Sequence, residues 1–374
     1  MGVIDQQTRL HMVNTPQSLN ELIQALEDVD QIALDTEFHA ERRYRPELML
    51  LQLATDRNTV WLADPQTIDL ASLGPALSDK VWLMHGGRHD LEILDTTLQA
   101  RPRKIFDTQP AAGLLGHHFP DRLSRLVERF LSLDIDKGST LSDWSSRPLS
   151  RQQRQYAAED ALILFPLVNA LQEALQAEGR LEWAWQASAE LLDETLNPPP
   201  VRDEWRTWGV AGRLSPTERT ILAALLEWRE KIARQTEKPP HFVLSNSLLI
   251  GISRQKPTRM RQLRENRRLH RGFLKHHGED LLVQIKNARA QDEEGPPLNS
   301  AQLAQVVLLD AWTRREGGRL GIHPGLLLPE RWRRRLVREG AQALEGWRGM
   351  ACGERLEEFF GGKRSVGFQD FEDI

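Results

Sequence analysis

The stretch Gln31-Ile32-Ala33-Leu34-Asp35-Thr36-Glu37-Phe38 reads as a buried strand that carries two acids near its end. Successive side chains of a strand face opposite ways, so Asp35 and Glu37 project from one face while Leu34 and Thr36 occupy the other. Two neighbouring carboxylates repel and raise one another's pKa, and a hard divalent cation between them is the ordinary remedy. Alone, an Asp-x-Glu pair reads more readily as solvated acids at a strand end, so the surrounding sequence decides.

Working outward, Leu48 to Ala54 (LMLLQLA) and Thr59 to Leu62 (TVWL) form an expected hairpin across Thr55-Asp56-Arg57-Asn58, and Val81 to His85 supplies a further strand. Strands joined by a short turn are antiparallel, so the sheet is expected to be mixed. Short apolar runs alternating with helical patterns point to α/β architecture. His85-Gly86-Gly87-Arg88-His89-Asp90-Leu91 follows a strand and opens a helix containing Leu91 and Leu94, which lets Asp90 point from the first turn toward the sheet's edge. An acid there also simply complements the helix dipole. From Ser150, SRQQRQYAAEDALILFPLVNALQEAL has helical periodicity, with Ser150 and Gln153 as a capping box and Pro166 expected to kink or divide it. Tyr156 and Asp160, four residues apart, share a face of that helix, a spacing also common in surface decoration.

Taken in order, Asp35-Thr36-Glu37-Phe38, Asp90 and Tyr156-x-x-x-Asp160 resemble the three motifs of the DEDDy exonuclease superfamily. LDTEF followed by LMLLQLAT, then HGGRHDLEIL, IFDTQPAA, KGSTLSDWSSRPLS and YAAEDALIL, resemble the ribonuclease D family over residues 15–195. The resemblance implies a ribonuclease H-like exonuclease domain in which Asp35, Glu37, Asp90 and Asp160 hold two Mg²⁺ or Mn²⁺ ions at the scissile phosphate. It also implies that Tyr156 orients the attacking water. A phenol's reference pKa of about 10 argues against its acting as the base. The implied activity is release of nucleoside 5′-monophosphates from RNA 3′ ends, with transfer RNA precursors as substrates. Phe38 would stack on or wedge the terminal base, or else pack in the core. Asp107 in IFDTQ reads as supporting structure outside the ligand set, and His85, His89, His117 and His118 lack zinc-site spacing.

At 374 residues the chain is long enough for two or three cores, and 40 % hydrophobic with 27 % charged residues is the profile of globular protein. No apolar run is long enough to span a bilayer. The N-terminal residues lack a signal-peptide pattern, so a cytoplasmic address is expected. The single cysteine, Cys352, reads as a buried or idle thiol. The net charge of −4 is unevenly spread: residues 1–200 hold 18 Lys+Arg against 30 Asp+Glu, and residues 201–374 hold 31 against 23. An acidic half joined to a basic half suits a cation-gathering site beside a surface that attracts polyanions.

Asn197-Pro198-Pro199-Pro200 marks a linker, after which the pattern is helical. Ser215-Pro216-Thr217-Glu218 is a helix start, with an N-cap, an N1 proline and an N3 glutamate. LLEWRE near Trp228 has an echo in LLDAWTRRE near Trp312, with Gly295-Pro296-Pro297 between them, as expected of two related helical modules. Arg213 to Asn287 resembles an HRDC domain. The expected organisation is an exonuclease domain over 1–197, a linker over 198–212, a first HRDC domain over 213–293 and a second, divergent HRDC-like domain over 298–374. Basic residues gather at Arg254, Lys256, Arg259, Arg261, Arg264, Arg267, Arg268, Arg271 and Lys275, and again at Arg331, Arg333, Arg334, Arg335 and Arg338. Such clusters would bind RNA phosphates without reading sequence, or form solvated helix faces. Trp205, Trp208, Trp228, Trp312, Trp332 and Trp347 are expected in packing. No obligatory protein partner is implied. A 3′→5′ exodeoxyribonuclease and a non-catalytic RNA-binding protein are the competing readings.

Overall fold

The structure, a computed structural model, describes residues 7–135, 143–208, 213–289 and 298–363. Gly295-Pro296-Pro297, the first six residues of KGSTLSDWSSRPLS and the chain after residue 363 lie outside the described residues. Six strands, β1 (Arg9–Val13), β2 (Gln31–His39), β3 (Glu47–Ala54), β4 (Thr59–Ala63), β5 (Val81–Met84) and β6 (Lys104–Asp107), build one sheet in the order β1-β4-β3-β2-β5-β6. The sheet is mixed, as expected. β3 is antiparallel to both β2 and β4, while β1 pairs with β4, β5 with β2 and β6 with β5 in parallel. β1 and β6 were not anticipated. Each is a short edge strand that pairs in parallel with its neighbour, so no hairpin turn announces it.

The strand period sorts the core into two layers. Ile32, Leu34, Leu51, Leu53, Trp82 and Met84 face α1 (Pro16–Glu27), α2 (Leu73–Ser78) and α3 (Arg88–Leu98). Ala33, Leu50, Leu62, Leu83 and Phe106 face the other way, toward α4 (Thr108–Leu114), α5 (Leu123–Leu131), α6 (Arg151–Leu162) and α7 (Leu164–Ala177). The capping box at Ser150 and Gln153 is present. The helical pattern divides at Ile163, which leaves Pro166 in the first turn of α7, where a missing N–H costs nothing. α8 (Leu181–Leu196) then packs against β6 and α3.

The first of two compact units combines these layers with the chain from Gln305 onward. That later part holds most of α14 (Ser300–Leu320), together with α15 (Pro324–Leu327), α16 (Glu330–Glu339) and α17 (Gly346–Phe360). Its Leu309, Trp312, Ile322, Leu326, Leu336 and Trp347 belong to the same apolar core as Leu114, Leu126 and Leu171. The Arg180 guanidinium donates to the carbonyls of Leu114 at 2.7 Å and Leu320 at 2.6 Å, and the His323 N–H donates to Gly113 O at 2.8 Å. Gly116, at φ +78°, lets the backbone of Gly321 approach to where a Cβ would meet its carbonyl oxygen at 3.0 Å.

The second unit comprises Ala40–Pro46, the loop between β2 and β3, with Pro198–Ala304. A 3₁₀ turn (Val201–Thr207) precedes α9 (Pro216–Thr236), whose Ser215–Glu218 capping box forms as the sequence predicts. α10 (Pro240–Val243), α11 (Asn246–Gln255), α12 (Met260–Glu265) and α13 (Arg271–Ala288) follow. Its own core holds Trp205, Leu222, Leu226, Trp228, Leu281 and Ile285. Tyr44 bonds Glu230 and accepts from Arg234 Nε at 2.7 Å, tying the loop to α9. No helix among the described residues is long and apolar enough to cross a membrane. Cys352 is buried, and burial beside Glu316 pushes its thiol up to about 12, which suits an idle thiol.

Candidate active site

Asp35 and Glu37 lie on the face of β2 that looks toward α6, and Asp160 comes down from α6 to meet them. One carboxylate oxygen from each of the three lies within 4.8 Å of the others. A bulge between Glu37 and Phe38 shifts the register with β3 by one residue immediately after the second acid, a device often found where a strand must re-aim a side chain. The cluster is made of oxygen donors alone. Among the described residues no histidine or cysteine belongs to such a group.

Asp90 reaches the site from the opposite layer. It sits in the first turn of α3, buried, and its Oδ1 accepts the Thr36 hydroxyl at 2.5 Å. Thr36 points away from Asp35 and Glu37 along the strand, so Asp-Thr-Glu alternation places two acids on one face and the holder of a third on the other. Asp107 holds the turn that presents Asp90. Fully buried at the end of β6, it accepts Gly86 N–H at 3.0 Å and Gln109 N–H at 2.8 Å on one oxygen and Gly87 N–H at 2.8 Å on the other. Gly86 adopts φ +65°, a conformation glycine takes without strain. His85 bonds the Thr108 hydroxyl at 2.7 Å, and burial lowers its pKa, so it serves as a neutral strut beside this turn.

The electrostatics follow from burying four acids together. Desolvation first, and then the charges of Asp90, Asp160 and Glu37, push Asp35 well above the usual carboxylate range. Glu37 rises to about 8, chiefly through burial and Asp160. Burial lifts Asp160 to about 7, against a hydrogen bond from Tyr156 that favours its charged form. Asp90 rises to about 6. Acids so disposed are at odds with their surroundings until a cation neutralises them, so the donor set fits a hard divalent metal.

Tyr156 thus stands on α6 with its phenol on Asp160, and its ring centroid is 6.2 Å from that of Trp144. Phe38 is half-buried at the edge of the α3-side layer, its ring 5.8 Å from that of His89. Gln52 pairs with Asp35 in the β2–β3 register and is fully buried. Its amide makes no well-formed hydrogen bond among the described residues, although its dipole lies close enough to Glu37 to favour the ionised acid. Such an orphaned amide beside carboxylates is a ready partner for a metal-bound water or substrate oxygen.

Two supporting residues escaped the sequence reading. Thr36 was legible as the opposite face of β2, but its partner was not. Arg147 grips Asp64 with two nitrogens at 2.6 and 2.7 Å and donates to Met49 O at 2.8 Å, fixing the segment that leads into α6 against β3 and β4.

The two basic clusters differ. On α16, Arg331, Arg333, Arg334 and Arg335 pair with Glu194, Asp310, Glu330 and Glu339. On α11 to α13, Arg254, Arg264, Arg267, Arg271 and Lys275 have no acid within ion-pair distance among the described residues. Arg264, Arg271 and Lys275 line a concave surface.

A family model described as a 3′-5′ exonuclease matches residues 10–176, and an HRDC domain model matches residues 218–285. Ribonuclease D of Pseudomonas paraeruginosa is 31 % identical over 342 residues, covering 87 % of this chain and 90 % of its own. The chain belongs to the ribonuclease D family. Ribonuclease D of Bartonella henselae is 29 % identical over 96 % of this chain and 91 % of its own. The crystal structure of Escherichia coli RNase D, described as an exoribonuclease involved in structured RNA processing, superposes with a TM-score of 0.83 at 25 % identity. It covers 95 % of this chain and 99 % of that one. Membership of the ribonuclease D family makes the protein a hydrolytic 3′→5′ exoribonuclease, and the fold described above is that family's.

Proposed function

We propose that the acidic cluster is the active site and that it releases nucleoside 5′-monophosphates one at a time from RNA 3′ ends. The reading rests on the convergence of Asp35, Glu37 and Asp160 within 4.8 Å, with Asp90 delivered from the other layer by Thr36. Asp35, Glu37, Asp90 and Asp160 would hold two Mg²⁺ or Mn²⁺ ions. When bound, these supply neutralisation of the phosphate's developing charge and acidification of a water. Tyr156, anchored on Asp160, orients the attacking water by hydrogen bonding. Phe38, at the edge of its layer, offers a ring to the terminal base.

The unpaired cations of α11 to α13 bind the body of the RNA through phosphates, which suits structured substrates such as transfer RNA precursors in the cytoplasm. Residues 213–293 act as one HRDC domain in this reading, and residues 298–374 as a divergent second module joined to the exonuclease. Matched RNA and DNA oligonucleotides, incubated with Mn²⁺ or with EDTA, test the proposal. The expected result is mononucleotide release from RNA that EDTA abolishes. Turnover indifferent to chelation overturns the metal mechanism, and equal degradation of DNA overturns the choice of substrate.

A further inference from the structure

Behind the turn that presents Asp90 lies a cavity of about 280 Å³ whose walls include Gly86, Arg88 and Asp107 on one side and Leu326, Arg331 and Arg348 on the other. A close-packed interior would fix the turn by contact alone, and here that contact is missing on one side. Charged side chains bridge the gap. Arg88, two residues before Asp90 and in the same first turn of α3, lies 3.6 Å from a carboxylate oxygen of Glu194 on α8. The other oxygen of Glu194 takes Arg331 of α16 at 2.6 Å. One helical turn earlier on α8, Glu190 pairs with Arg348 of α17, which is 2 % exposed and also donates to the carbonyls of Leu327 at 2.8 Å and Leu326 at 3.2 Å. Two glutamates on one face of α8 therefore each receive an arginine from a different helix of the C-terminal segment.

We infer that Glu194 is a positioning residue through which the C-terminal helices set the place of Asp90, and with it the affinity of the metal ion that Asp90 ligates. The inference rests on the two-metal reading given above. Arg331 neutralises and orients Glu194, Glu194 draws Arg88 toward α8, and Arg88 tethers the first turn of α3 in addition to the bonds made by Asp107 and Thr36. Each link is partly exposed, so the effect is a modest tuning of one ion's affinity rather than a condition of folding.

The test measures Mn²⁺ binding calorimetrically in the full chain without RNA, beside the melting temperature of the metal-free protein. Asp90→Asn first identifies the binding step that needs Asp90. Glu194→Gln and Arg331→Met are expected to weaken that same step by roughly three- to tenfold, leaving the other step and the melting temperature nearly unchanged. Arg331→Lys should keep most of the affinity, and Glu194→Gln combined with Arg331→Met should be no worse than Glu194→Gln alone. Unaltered binding in both single variants overturns the inference, as does an equal loss at both steps accompanied by a lower melting temperature. A wild-type chain that binds no Mn²⁺ removes the two-metal reading itself, a result that cannot be mistaken for failure of the Glu194 link.

Discussion

Asp35 holds its proton more tightly in the folded chain than an exposed aspartate does, and burial also lifts Glu37, Asp160 and Asp90 to about 8, 7 and 6. A carboxyl whose folded pKa is raised stabilises the fold while it is protonated, below its unfolded pKa, and that contribution is lost as pH rises through the folded value. The metal-free protein should therefore lose melting temperature between pH 5 and pH 8, and Mn²⁺ should restore it at pH 8. A flat profile in EDTA would contradict the raised pKa values. Asp35→Asn should raise the metal-free melting temperature at pH 8 while cutting kcat about 10²- to 10³-fold, the usual cost of losing one preorganised electrostatic group. Tyr156→Phe keeps the ring and its packing near Trp144 but removes the hydroxyl, so kcat should fall about a hundredfold with KM for RNA little changed. Steady-state kinetics on a short oligonucleotide separates the two parameters.

The elements around the site show how one buried carboxylate can organise a turn. Asp107 satisfies three backbone N–H groups that would otherwise be orphaned, two of them in the glycine turn ahead of α3. Asp107→Ala should cost about 3 kcal/mol or more by denaturant titration, since it strips several buried donors at once, and should depress activity beyond what the lost stability explains. Much at this scale was legible beforehand: the Asp-Thr-Glu alternation of β2, the capping boxes at Ser150 and Ser215 and the interruption near Pro166 are written within a few residues of one another. β1 and β6 were not legible because they are edge strands of four or five residues with few apolar side chains and no hairpin turn to announce them. Nor were the Thr36–Asp90, Arg147–Asp64 and Arg348–Glu190 bonds, whose partners lie 54, 83 and 158 residues apart. Periodicity assigns a side chain to a face and leaves open what stands opposite it.

Across the whole molecule, the charge asymmetry of the sequence resolves into cations that are free and cations that are spent. Arg331, Arg333, Arg334 and Arg335 of α16 are matched by acids, whereas Arg264, Arg271 and Lys275 have none within ion-pair distance among the described residues. Changing Arg264, Arg271 and Lys275 to Ala should raise KM for structured RNA several-fold at moderate salt and flatten its salt dependence. The same change at Arg334 and Arg335 should do little, and a reversed order would overturn the distinction. The core gives a second expectation. Ending the chain at Ala304 removes Leu309, Trp312, Ile322, Leu326, Leu336 and Trp347 from contact with Leu114, Leu126 and Leu171. At about 1.5–3 kcal/mol for each large buried side chain, the loss rivals the whole stability of an ordinary domain, so the truncated protein should fail to give a cooperative melt.

That shared core also imposes a timetable. The ribosome makes the sheet first, then residues 198–304 with their own separate core, and only afterwards the helices that close the sheet's second layer. At about 5–20 residues per second, the layer waits some seconds for its lid, while the intervening segment is free to collapse on its own. In a chain assembled in this order, the layer made first is covered by the helices made last.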